Sequence, residues 1–84
     1  MISSTQIRAA RAMLRWSGQD LADRSGISLK TLRRYEADHG VPNGNTRVLL
    51  SLQQLFEQAG IEFTGDPLIN PGVTLRLSDS AQPD

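Results

Sequence analysis

Residues 17–36 read Ser17-Gly18-Gln19-Asp20-Leu21-Ala22-Asp23-Arg24-Ser25-Gly26-Ile27-Ser28-Leu29-Lys30-Thr31-Leu32-Arg33-Arg34-Tyr35-Glu36, and their local chemistry decides the fold. Ser17 followed by Asp20 has the spacing of a capping box, in which each side chain accepts the other residue's backbone N–H, so a helix starts here. Leu21 and Ala22 form a small apolar face, and the size of Ala22 lets a second helix approach closely. Gly26 suits the left-handed conformation that ends a helix. Ile27 plugs the gap between the two helices, and Ser28 caps the second. Leu32 and Tyr35 follow Ile27 at helical spacing and face inward. Lys30, Arg33 and Arg34 fall on the other side. The stretch therefore predicts two short helices meeting at a tight turn, the second with an apolar and a basic face.

Upstream, a first helix is expected from Ser4 or Thr5 to about Arg15. Ile7, Ala10 and Leu14 share one face, with Met13 close by. Trp16 ends that segment and reads as core or boundary packing. Downstream, Gly40, Pro42 and Gly44 place turn formers between Ala37 and Asn45, and the basic helix is taken to span 28–38, with His39 able to cap its end. A fourth helix is expected from Thr46 to Ala59, capped by Asn45. Its apolar stripe runs through Val48, Leu49, Leu52, Leu55, Phe56 and Ala59, and Leu50 sits off it. The period then changes. Ile61 and Phe63 alternate with polar residues, two turn signals follow at 65–67 and 70–72, and Val73, Leu75 and Leu77 alternate again. The reading is mostly α: four helices with a short C-terminal β-hairpin or strand pair. Residues 1–60 form one domain, 61–77 carry the strands, and 78–84 form a polar tail expected to be disordered.

Composition excludes several classes. Eighty-four residues suit a single domain with a limited core. The chain has no cysteine, hence no disulfide or thiolate metal site, and its one histidine excludes a multi-histidine centre. No metal or cofactor is expected. No nucleophile–base pair or carboxylate dyad is visible, so an enzyme is the weakest reading. The N-terminus lacks the basic and apolar regions of a signal peptide, and no apolar run suits a membrane span, so a cytoplasmic protein is expected. The formal net charge is zero, but it is polarised. Residues 1–36 carry seven basic and three acidic side chains, net +4, and residues 37–84 carry two basic and six acidic, net −4.

Two helices about a tight turn, the second of them basic, make up a helix-turn-helix, which places its second helix in the DNA major groove. The residues Arg8, Arg11, Trp16-Ser17, Leu21-Ala22, Gly26-Ile27-Ser28 and Leu32 to Glu36 extend the match, with Gly40 and Pro42 after them. On these residues the chain resembles the Cro-and-repressor type, or xenobiotic-response-element type, helix-turn-helix family over roughly residues 5–63. The resemblance implies a four-helix lambda-repressor-like domain. It also implies a transcriptional regulator, foremost a repressor, that binds palindromic operator DNA as a homodimer. It pairs an arginine of the first helix with a glutamate ending the recognition helix, here Arg11 and Glu36. The chain departs from the family at Gly18, where glutamine is frequent, and at Gly40, which follows Glu36 by four residues rather than two. Strands also stand where many members have a fifth helix. Short bacterial members with Gly-x-Glu-Phe and Pro-Gly-Val-x-Leu-Arg segments are similar here.

Affinity for DNA comes largely from phosphates and specificity from base edges. The base-edge candidates are Ser28, Leu29, Lys30, Thr31 and Arg34. Lys30 or Arg34 suits guanine O6 and N7, whereas Leu29 and the Thr31 methyl suit a thymine methyl. Arg33 reaches either a base or a phosphate. The Gly18 backbone N–H and Gln19 address phosphate at a helix start. Asn43, Gly44, Asn45 and Arg47 address the opposite strand. A dimer interface is expected at Ile61, Phe63, Val73, Leu75 and Leu77, with Leu50, because an open strand edge pairs readily. Two further readings remain open. One is an antitoxin whose acidic C-terminal half masks a protein partner. The other is an interaction module that has lost DNA binding.

Overall fold

The computed structural model describes residues 1–77, so the tail expected over 78–84 lies outside the described residues. Side-chain caps at four polar residues set the helix starts. The helices are α1 (Ser4–Met13), α2 (Gly18–Ser25), α3 (Leu29–Ala37) and α4 (Thr46–Gln58). Ser17 and Asp20 form the expected capping box, with Asp20 N–H donating to Ser17 Oγ at 2.9 Å and Ser17 N–H to Asp20 Oδ2 at 2.8 Å. Ser3 and Gln6 form a second box at the start of α1. Ser28 Oγ accepts the Thr31 N–H, and Asn45 Oδ1 accepts those of Arg47 and Val48. Gly26 ends α2 at φ 75°, in the left-handed region, as its sequence position requires.

Three helix ends differ from the expected ones. The first helix stops at Met13 rather than Arg15. Arg15 adopts φ 61°, its N–H donates to the Ala12 carbonyl, and the Trp16 N–H donates to that of Arg11. These two bonds make a Schellman motif with arginine where glycine is usual. Met13, expected beside the apolar face, is exposed. The basic helix stops at Ala37, not Asp38 or His39. Asp38 is extended, its carboxylate accepts the Asn43 N–H, and the Gly40 carbonyl accepts the Ser4 N–H. These bonds turn the chain toward α4 and α1. Helix α4 ends at Gln58, one residue before Ala59.

The last elements, β1 (Ile61–Thr64) and β2 (Gly72–Leu75), form one antiparallel hairpin with Ile61 opposite Leu75 and Phe63 opposite Val73. Leu77 lies beyond β2 and is exposed, so it does not continue the strand alternation. The hairpin packs on α1 and α4. The core draws on every helix and on β1: Ile7 and Ala10, Leu21, Leu32 and Tyr35, Leu49, Leu52 and Phe56, and Ile61. Trp16 stacks on Phe56 with ring centroids 5.9 Å apart, and Phe63 meets the Phe56 ring edge-on at 6.0 Å. Trp16 is thus packing, as its place before Ser17 predicts.

Candidate nucleic-acid interface

Helix α3 presents its two faces as its sequence requires. Leu32 and Tyr35 are buried, while Lys30, Arg33 and Arg34 are exposed. Among the described residues neither Lys30 nor Arg33 forms a salt bridge, so both charges are available to an anionic partner. Three other cations of the basic half are held by the fold. Arg11 grips Glu36 bidentately, with Nε–Oε2 and Nη2–Oε1 both at 2.9 Å, and donates from Nη1 to the Trp16 carbonyl. The hydrogen bond to Glu36 raises the Arg11 pKa against partial burial, so the guanidinium stays charged. Arg8 donates to the Glu36 carbonyl and to Thr5 Oγ1. Arg24 lies 4.5 Å from the centroid of the Trp16 ring, which makes it a cation–π partner of that ring.

Two arms flank α3. At its start, Gly18, Gln19, Leu29 and Arg33 line a cleft of about 400 Å³ together with Arg11 and Glu36. The structure thus brings the α2 start, assigned to phosphate, beside the α3 start, assigned to bases. Gln19 is exposed and donates to Asp23 Oδ1 at 2.9 Å. At the other arm, Arg34 Nη1 donates to the Asn43 carbonyl at 3.2 Å, tying α3 to the loop before α4. Asn43 and Asn45 are exposed along that loop and Arg47 on the first turn of α4, and the Asn45 amide oxygen is engaged in capping. Gly44 lies against the Tyr35 phenol: a Cβ there would stand 2.7 Å from Tyr35 Oη. That requirement, like the Arg34–Asn43 bond, has no sequence signature.

The residues expected at a dimer contact differ in exposure within the single chain. Ile61 is buried in the core of its own chain, while Leu50 is exposed on α4. Gln6 escaped the sequence reading altogether. It is buried, and its amide donates to the Thr64 carbonyl at 3.2 Å and the Gly72 carbonyl at 3.0 Å, clamping both hairpin strands to α1. The spacing of Ser3 and Gln6 is a capping-box spacing that marks it. Among the described residues, no group of three or more acidic or histidine side chains is placed to hold a metal ion, and no helix is long and apolar enough to cross a membrane.

A tight turn between α2 and α3 that leaves the basic face of α3 exposed is the architecture of a helix-turn-helix domain. A family model described as helix-turn-helix matches residues 7–51, more than half of the chain, and the protein belongs to this family of Cro and xenobiotic-response-element type regulators. In a comparison with curated proteins, none matched the chain.

Proposed function

We propose that the protein is a cytoplasmic transcriptional repressor that binds palindromic operator DNA as a homodimer, with α3 in the major groove. The observation that carries this reading is the exposed face of α3, where Lys30 and Arg33 have no carboxylate partner among the described residues. Lys30 and Arg34 read base edges, Arg33 and Arg47 meet phosphates, and Gly18, Gln19, Asn43 and Asn45 position the backbone. The dimer is supported by the hairpin. A two-stranded sheet has open edges. Beside β2, the exposed Met13 and Leu77 line a groove of about 440 Å³ with Leu14, Ala59 and Leu75. Phe63 and Val73 are half-buried on the same hairpin, and Leu50 adds exposed apolar surface on α4. Selection of bound sequences from random DNA, followed by gel shifts at rising salt, tests the reading. A selected palindrome whose affinity falls steeply with salt supports it. Absence of any selected sequence would overturn it.

A further inference from the structure

Resting on that DNA-reading proposal, we infer that Tyr35, a core residue by its ring, is also a DNA ligand by its hydroxyl, which donates to a backbone phosphate through a window left open by Gly44. Tyr35 is 2% exposed, and its backbone carbonyl accepts the Ser4 hydroxyl. Packing needs only the ring, which phenylalanine also supplies. The Oη itself has no hydrogen-bond partner among the described residues. No sealed side-chain nitrogen or oxygen among them lacks a partner, so the Oη is not sealed and meets solvent. Gly44 sets where it emerges. A Cβ there would stand 2.7 Å from Oη, 2.8 Å from Cε1 and 3.0 Å from Cζ, and would cover the hydroxyl. Gly44 has no left-handed backbone, unlike Gly26 and Gly40, so the phenol, not the chain's conformation, excludes a side chain at this position.

The surroundings of the window suit an anion. Gly44 precedes Asn45, the cap of the 13-residue α4, so the hydroxyl opens near the positive end of that helix. Arg34 lies 5.3 Å from the centroid of the Tyr35 ring and donates to the Asn43 carbonyl, which sets the window beside the basic face of α3. Arg47 is exposed on the first turn of α4. Neither arginine forms a salt bridge among the described residues, and the carboxylate of this loop, Asp38, accepts the Asn43 N–H at 3.3 Å. A neutral O–H without an acceptor, near two such cations, suits a phosphodiester oxygen.

The test uses the full chain and the DNA it selects from a random pool. Tyr35→Phe removes the hydroxyl alone. Affinity should fall about tenfold, the worth of one hydrogen bond to a charged group, and equally on selected and random DNA. The salt dependence of binding should not change, because the hydroxyl carries no charge, whereas Arg47→Ala should lower the salt slope by about one. The urea midpoint should not fall, since the Oη bonds nothing in the fold. Replacing phosphates singly by neutral methylphosphonates should locate one position for each bound α3 where Tyr35→Phe costs nothing further. Tyr35 is the chain's single tyrosine, so a carbon-13 label at Cζ gives one resonance. It should shift on adding selected DNA, and not with the methylphosphonate at that position. Unchanged affinity of Tyr35→Phe, a loss confined to selected DNA, or a loss matched by a lower urea midpoint overturns this inference alone. Failure to select any sequence overturns the DNA-reading proposal and this inference with it.

Discussion

Arg15 holds a left-handed backbone, φ 61°, at the position where α1 closes in a Schellman motif. An L-residue with a Cβ costs roughly 1–2 kcal/mol there, and glycine avoids that cost but adds roughly 0.5–1 kcal/mol of chain entropy. Arg15→Gly should therefore stabilise the fold by about 0.5–1 kcal/mol in a urea melt. The Arg11–Glu36 pair acts in the opposite sense when broken. Its side chains are 28% and 14% exposed, so it is half-buried rather than sealed. Glu36→Ala leaves the guanidinium short of two hydrogen bonds, and about 1–3 kcal/mol should be lost in the same melt, less than for a fully buried pair. Arg34 belongs to the proposed reading of bases. Arg34→Ala should relax preference at one or two base positions at a cost of roughly 1–3 kcal/mol, whereas Arg47→Ala should weaken all sequences alike. Equal loss of Arg34→Ala on selected and random DNA, with the fold intact, would remove Arg34 from base reading.

At the scale of the element, caps and clamps decide what holds. The cap of α2 is titratable. Hydrogen bonds from the Ser17 backbone and side chain lower the Asp20 pKa below its ordinary value of 3.8. A depressed carboxylate pKa adds stability at pH values above the unfolded pKa, and that contribution is lost as pH falls through the folded value. Thermal melts of wild type and Asp20→Asn should therefore differ most near neutral pH and converge in acid. A gap that widens in acid would refute the linkage. The hairpin depends on Gln6. Gln6→Ala leaves the Ser3 N–H and the Thr64 and Gly72 carbonyls without this partner. Each such group costs about 1–3 kcal/mol if water does not replace it. Amide exchange in β1 and β2 should accelerate more than in α3, because the bonds lost are those to the hairpin.

At the scale of the whole molecule, charge and surface are divided. The basic N-terminal part carries the motif, and the acidic C-terminal part carries the hairpin. In the proposed dimer the hairpin edge and the Met13–Leu77 groove join two copies, and the α3 helices meet half-sites about one helical turn, or 10 bp, apart. Truncation after Ala59 should then leave a weaker, mostly monomeric DNA binder. It also strips Ile61 from the core, so its fold must be checked alongside sedimentation. Full-length protein that stays monomeric at high concentration, alone and on DNA, would refute the dimer.

The sequence by itself determined the helix starts at Ser17, Ser28 and Asn45, the Gly26 turn, the two faces of α3 and the presence of two C-terminal strands, whose pairing within one chain came from the structure. Each follows from short-range chemistry: caps bond within three residues, glycine opens the left-handed region, and periodicity assigns faces. The ends of α1 and α3 were not legible, because no glycine marks Arg15 and the extended Asp38 answers to Asn43, while Gly40 answers to the distant Ser4. Only the tertiary structure decided what Arg8, Arg24 and Arg34 meet. It set Arg24 over Trp16, Arg34 on Asn43 and Leu29 against Gly18. It also turned Ile61 from an expected contact between chains into core. The physical reason is range. A side chain's own helix sets the direction it points, but the packing of other elements sets what it meets there.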